Sequence, residues 1–231
     1  MDLFYTKNSE YEILSKNESK HCVNALRKKI KDKILVTEGK GIIYQAKITS
    51  INRGIVSFKK LNEQFSVKRN TRLEIAISLT KNKSRFEWFL EKSTEIGVDY
   101  IYPIICKRSE RKQINIERCN KILISSLKQS KNAILPKISR IITFDHFLEK
   151  NLSNTYIAHC SSVTKKDFFE CIKTQQNQSK IIVMIGPEGD FTKTEILKAQ
   201  EKGVQSVSLG QNRLRTETAG IYVANCVQIL F

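Results

Sequence analysis

Residues 181–189 read Ile-Ile-Val-Met-Ile-Gly-Pro-Glu-Gly, and residues 206–220 read Ser-Val-Ser-Leu-Gly-Gln-Asn-Arg-Leu-Arg-Thr-Glu-Thr-Ala-Gly. Ile181–Ile185 is a continuous apolar run, the pattern of a parallel strand buried on both faces. It ends directly in Gly186-Pro-Glu-Gly189. In open α/β sheets, ligands bind beyond the carboxyl ends of strands, where loops leave the sheet. Gly186 and Gly189 let a ligand approach the backbone closely, and Pro187 stiffens the turn. The second stretch repeats the arrangement: a strand over Ser206–Leu209 runs into a polar loop from Gly210 to Gly220. A single Gly-Pro-Glu-Gly is equally an ordinary turn. Two strand-to-glycine loops in succession point to a ligand site, and spacing alone carries the reading no further.

The same alternation extends back to residue 73. Strands are expected at Leu73–Leu79, Tyr100–Ile105, Ile138–Thr143 and Tyr156–His159. Helices are expected at Ile116–Lys128, Lys166–Thr174 and Thr218–Phe231. Ser84-Arg-Phe-Glu87 and Thr192-Lys-Thr-Glu195 both fit a capping box, which opens a helix by satisfying its first amides. Gly97 and Gly203 are natural stops for those two helices. Strands alternating with helices over 73–231 argue for an α/β domain with a mostly parallel sheet. Residues 1–72 read differently. Ile34–Thr37, Ile42–Ile51, Gly54–Leu61 and Phe65–Val67 are short β-branched segments. Gly39, Gly41, Asn52-Arg53-Gly54 and Asn62-Glu63 punctuate them as turns, the pattern of a small β-barrel. A helix over Ser19–Lys31 precedes them, with Lys20, Arg27, Lys28 and Lys31 on a basic face.

The 231-residue chain has a formal net charge of +17. The excess is uneven: residues 1–72 hold 16 basic and 7 acidic side chains, 73–140 hold 14 and 7, and 141–231 hold 10 and 9. A uniform compositional bias would not spare the last segment, so the charge favours a phosphate polyanion as partner over a merely solvated basic surface. The six cysteines have no C-x-x-C pair, which argues against a zinc site or disulfide framework and fits a reducing cytoplasm. The three histidines are too dispersed for a metal site, and no membrane span or secretion signal is expected. P-loop, dinucleotide-binding and G-x-S-x-G motifs are all missing.

Gly186-Pro-Glu-Gly with Phe191-Thr-x-x-Glu195, then Leu209-Gly and Leu214-Arg-Thr-Glu-Thr-Ala219, closely resembles the SPOUT methyltransferases. Within them the chain is similar to the family that methylates N3 of a uridine in the decoding region of 16S ribosomal RNA. His21-Cys-Val-Asn-Ala-Leu-Arg27, Lys92-Ser-Thr-Glu-Ile-Gly-Val98, Arg108-Ser109, Gln129-Ser130 and Leu135-Pro136 extend the resemblance over most of the chain. Two departures stand out: Asp190 replaces a usual glycine, and Asn132 an arginine common after Gln-Ser.

The resemblance implies an α/β methyltransferase domain with a trefoil knot, over 73–231, and an N-terminal small β-barrel (PUA/OB-like) RNA-binding domain over 1–72. It implies S-adenosylmethionine as cofactor, no metal, a cytoplasmic homodimer, and 16S rRNA of the small ribosomal subunit as partner. The cofactor would be held by His159, Cys160, Ile185, Gly186, Pro187, Glu188, Gly189, Leu209, Gly210, Leu214, Thr216, Thr218 and Ala219. Arg215 would stabilise negative charge on the uracil. Glu217 would accept a proton or anchor the loop. Arg27, Lys28, Arg53, Arg69, Arg72 and Arg108 are the RNA-contact candidates. Two rival readings are a SPOUT enzyme acting on a ribose 2′-hydroxyl of tRNA or rRNA, and a non-catalytic ribosome-assembly factor.

Overall fold

The computed structural model describes residues 1–67, 70–150, 152–161, 165–174 and 178–231. The chain forms two compact units, Met1–Lys68 with Ile124–Leu135, and Arg69–Leu123 with Pro136–Phe231.

In the first unit, β1 (Leu3–Tyr5) is followed by α1 (Lys16–Lys20), β2 (Lys33–Thr37), β3 (Ile42–Asn52) and β4 (Ile55–Ser66). The sheet order is β1-β2-β3-β4, with β1 parallel to β2 and the other pairs antiparallel. Inward side chains of β2, β3 and β4 bury Ile34, Val36, Ala46, Ile48, Val56 and Phe58 around Phe4, Leu14 and Cys22. Three expectations change here. The helix begins earlier, capped by Ser15, widens into a π-helical turn at His21–Ala25 and stops at Leu26. Arg27 then turns into the left-handed region at φ 52°, which ends the helix. Asn62-Glu63 is not a turn: β4 runs unbroken, and register shifts against β3 absorb the irregularity. The outer end of β4 is exposed, so polar residues there are solvated within a strand.

Residues 124–135 join this unit from far along the chain. The Gly41 amide donates to Ala133 O at 2.9 Å and the Leu135 amide to Gly39 O at 2.9 Å. Lys128 Nζ lies 2.7 Å from Glu18 Oε1. Asn132 Oδ1 accepts from the Ile134 amide at 3.1 Å and shapes the turn, work a side chain shorter than arginine can do.

The second unit contains β5 (Arg72–Ser78), α2 (Lys83–Ile96), β6 (Tyr100–Ile105), α3 (Ile116–Ser130, whose second half belongs to the first unit), β7 (Lys137–Ile138), β8 (Ile142–Thr143) and α4 (Phe144–Phe147). It continues through β9 (Thr155–Ala158), β10 (Lys166–Asp167), α5 (Phe168–Lys173), β11 (Lys180–Ile185), α6 (Lys193–Glu201), β12 (Gln205–Ser208) and α7 (Thr216–Leu230). The sheet runs β10-β12-β9-β11-β5-β6-β7 with β8 also on β6, and its pairs are parallel. Central β11 is apolar and buried from Ile181 to Ile185 because it has neighbours on both edges and layers on both faces. Ile182 and Met184 face a cluster with Phe144, Phe147, Phe191 and Ile196. On α2 and α7, Phe86, Phe89, Leu90, Val223, Ala224 and Val227 are buried, and α7 packs on α2, α5, β5 and β11.

Helix starts separate local from tertiary control. Thr192 and Glu195 form the capping box of α6. At α2, Asn82 supplies the cap instead, its Oδ1 accepting from the Ser84 amide at 2.9 Å. Glu87, expected to complete a box with Ser84, holds Arg118 at 2.6 and 2.8 Å.

Candidate active site

The carboxyl ends of β12, β9 and β11 lie side by side, and the loops leaving them enclose a cavity of about 620 Å³ with the start of α7. That volume lies in the range of small-molecule sites. From β9 come Ala158, His159 and Cys160, with Lys165 beyond. From β11 come Ile185, Gly186, Pro187, Glu188 and Asp190. Ser208 ends β12, Leu209, Gly210, Gln211, Asn212, Arg213 and Leu214 follow it, and Arg215, Thr216 and Ala219 open α7. Thr216 Oγ1 donates to Gly186 O at 2.9 Å, a buried bond that ties the start of α7 to the glycine loop.

The glycine loop is also held from outside. Arg108 Nη1 donates to Gly189 O at 2.7 Å, Arg213 Nη2 to Glu188 O at 3.1 Å, and the Lys81 amide to Glu188 Oε1 at 2.9 Å. Gly189 faces Arg108, which would lie 3.3 Å from a Cβ placed there, and is outside the cavity lining. Asp190 adopts φ 64°, the left-handed region where glycine is easiest and aspartate is tolerated. Its Oδ2 accepts from the Cys160 amide at 2.8 Å and its Oδ1 from the Phe191 amide at 2.8 Å. The departure from glycine therefore braces two loops of the cleft.

His159 is 6% exposed, and its Nε2 is buried without a hydrogen-bond partner among the described residues. Nδ1 lies 3.5 Å from Lys165 Nζ, which also donates to His159 O at 2.5 Å and Ser161 O at 2.8 Å. An ammonium cannot accept, so Nδ1 is the acceptor and the proton sits on Nε2. Burial, reinforced by the Lys165 charge, holds the imidazole below its ordinary range. His159 thus offers a neutral, unanswered donor at the cleft.

The structure does not bring together every residue singled out in the sequence. Thr218 is exposed and outside the lining. Glu217 is buried and off the cleft, with Oε1 3.7 Å from Arg85 Nε and Oε2 without a hydrogen-bond partner among the described residues. Arg215 is exposed at the cleft. Arg27 and Arg53 are exposed on left-handed turns of the first unit at φ 52° and 48°. Lys28 is engaged with Asp2 at 2.8 Å, an interaction that raises its pKa. Arg69 lies outside the described residues. Arg72 starts β5 in the second unit, at the sheet end opposite the cleft, paired with buried Glu74 at 2.7 Å. Lys165, Asp190 and Arg213 were not singled out as ligand residues. Only Asp190 carried a signal, as a side chain where a glycine is usual. Among the described residues, no group of three His, Cys, Asp or Glu could hold a metal ion, and no helix is long and apolar enough to cross a membrane.

Fold and cleft define a parallel α/β protein with a ligand cavity at its strand ends, accompanied by a separate small β unit. Residues 67–228 match the RNA methyltransferase domain and residues 14–61 the RNA methyltransferase PUA domain, so the chain belongs to this RNA methyltransferase family. It is 28% identical over 226 residues to a ribosomal RNA small subunit methyltransferase E of Rickettsia conorii, covering 97% of this chain and 91% of that one. Its fold is similar to a probable rRNA-methyltransferase from Porphyromonas gingivalis, with TM-score 0.87, 33% identity and 100% and 98% of the two chains covered. It is also similar to a ribosomal RNA small subunit methyltransferase E from Neisseria gonorrhoeae bound to S-adenosyl methionine, with TM-score 0.86, 28% identity and the same coverage.

Proposed function

We propose that the chain methylates N3 of a uridine in 16S ribosomal RNA, using S-adenosylmethionine bound in the cleft at the ends of β12, β9 and β11. The observation that carries this reading is the cleft itself. Three strand-end loops line it, and among the described residues His159 Nε2 is a buried donor without an acceptor. A nucleoside carries ring nitrogens and ribose hydroxyls that answer such a donor, while Ile185, Leu209, Leu214 and Ala219 offer apolar contact. The residues present therefore fit the cofactor. The names of the relatives, ribosomal RNA small subunit methyltransferases, support the substrate class.

When bound, S-adenosylmethionine supplies a methyl group already activated by positive charge on sulfur. The protein then has to position the base for in-line attack and manage one proton. Gly186–Asp190 and Leu209–Leu214 form the walls, braced by Arg108, Arg213 and Thr216. Uracil N3 loses its proton to solvent water at the open mouth of the cleft, and Arg215, exposed there, stabilises the negative charge that develops on the uracil oxygens. Of the two roles considered for Glu217, its burial against Arg85 favours anchoring the start of α7. A stacked or paired base is out of reach, so the target is splayed out or already single-stranded. The first unit, with Arg27 and Arg53, contributes phosphate contacts. A trefoil knot through the loops after β11 and β12 and a homodimer burying part of α7 complete the proposal.

The test is mass mapping of modified nucleosides after incubation with unmodified small subunits and labelled S-adenosylmethionine. N3-methyluridine is the expected product. A ribose-methylated nucleoside would reject the N3 assignment, and no incorporation would reject the enzyme.

A further inference from the structure

Asp190 is one of the two carboxylates that line the cleft, the other being Glu188. Its two oxygens accept from the amides of Cys160 and Phe191, each at 2.8 Å. Among the described residues, no lysine or arginine lies within ion-pair distance of it. Of the cations in the lining, Lys165 Nζ donates to the carbonyls of His159 and Ser161 and Arg213 Nη2 to that of Glu188, while Arg215 is exposed. The other carboxylate of the lining, Glu188, is exposed and bonded to the Lys81 amide. Asp190 is only partly exposed and sits between the loops after β9 and β11. Backbone amides fix its direction without cancelling its charge, and part-burial weakens solvent screening. A loop brace needs only a hydrogen-bond acceptor. A full negative charge at a left-handed position, φ 64°, does more than that.

We propose that Asp190 is a specificity-determining residue that makes the cleft prefer a cationic sulfur over a neutral one. Resting on the reading of this cleft as the S-adenosylmethionine site, it identifies Asp190 as the group that favours the sulfonium substrate over the thioether product. Transfer of the methyl group removes the positive charge from sulfur, so the same carboxylate loses its partner once reaction is complete. Product release is thereby favoured without any movement of the protein.

Calorimetric titration of the full chain tests this, using S-adenosylmethionine, S-adenosylhomocysteine and 5′-methylthioadenosine. The first carries charged sulfur and an ammonium, the second the ammonium alone, and the third neither. Asp190→Asn and Asp190→Gly both tolerate the left-handed backbone, so folding is preserved and checked by melting. Both variants are expected to lose affinity for S-adenosylmethionine by about tenfold more than for the other two ligands, a difference of ~1.4 kcal/mol. Equal loss for all three, or none, reduces Asp190 to a loop brace and overturns the proposal. Loss shared by the first two ligands but spared by the third makes the ammonium its partner and also overturns it. Failure of the unaltered protein to bind any of the three rejects the cofactor site itself, a distinct result.

Discussion

His159 and Asp190 reach the cleft from adjacent strands, and the surroundings of each limit what it can do. Burial, then the Lys165 ammonium, push the His159 pKa below its ordinary 6.5, while Asp190 opposes them. The unfolded chain takes up this proton more readily than the folded one, so stability rises with pH across the interval between the two values. The contribution is fully present above 6.5 and is lost as pH falls from 6.5 toward the folded value. Thermal melts from about pH 8 to about pH 5 are expected to show a steeper loss for the unaltered protein than for His159→Asn, which cannot titrate there. Parallel curves would sink this account of the imidazole. The left-handed Asp190 was visible in the sequence only as a departure from glycine. Its bond to the Cys160 amide joins residues 30 apart and could not be inferred from local pattern.

At the scale of elements, close approach of two helices sets the position of the loop before α7. A Cβ on Gly220 would lie 2.5 and 2.8 Å from ring atoms of Phe89 on α2. Phe89 is fully buried, so its ring has little room to move. Gly220→Ala is expected to destabilise the fold by about 1–3 kcal/mol through overpacking, despite the higher helix propensity of alanine. A denaturant midpoint equal to or above that of the unaltered protein would reject the close-packing argument. Periodicity located most strands and helices because alternation and helical spacing are local properties. It failed at Ser84, where Asn82 captured the cap, and at Asn62-Glu63, where an exposed strand end has the composition of a turn. Leu3–Tyr5 was too short for a period to register, yet it pairs in parallel with β2.

Across the whole molecule, the positive charge is concentrated in the first 140 residues, where 30 basic side chains face 14 acidic ones. If RNA is held through phosphates, binding releases counterions and weakens as salt rises. Affinity for a small-subunit RNA fragment is expected to fall about tenfold or more between ~50 and ~200 mM salt. An affinity flat over that range would remove the electrostatic basis of the RNA partner. Composition, alternation and glycine spacing were enough to establish a basic β-rich region, a parallel α/β region and two strand-end loops. These features depend on residues close in sequence. Long-range contacts were needed to seat residues 124–135 in the first unit, to put the ends of β12, β9 and β11 side by side, and to turn Asp190 into the cleft while burying Glu217 against Arg85. The physical reason is that strand order and side-chain direction minimise the free energy of the whole packed chain, and no local window contains the partners that decide them.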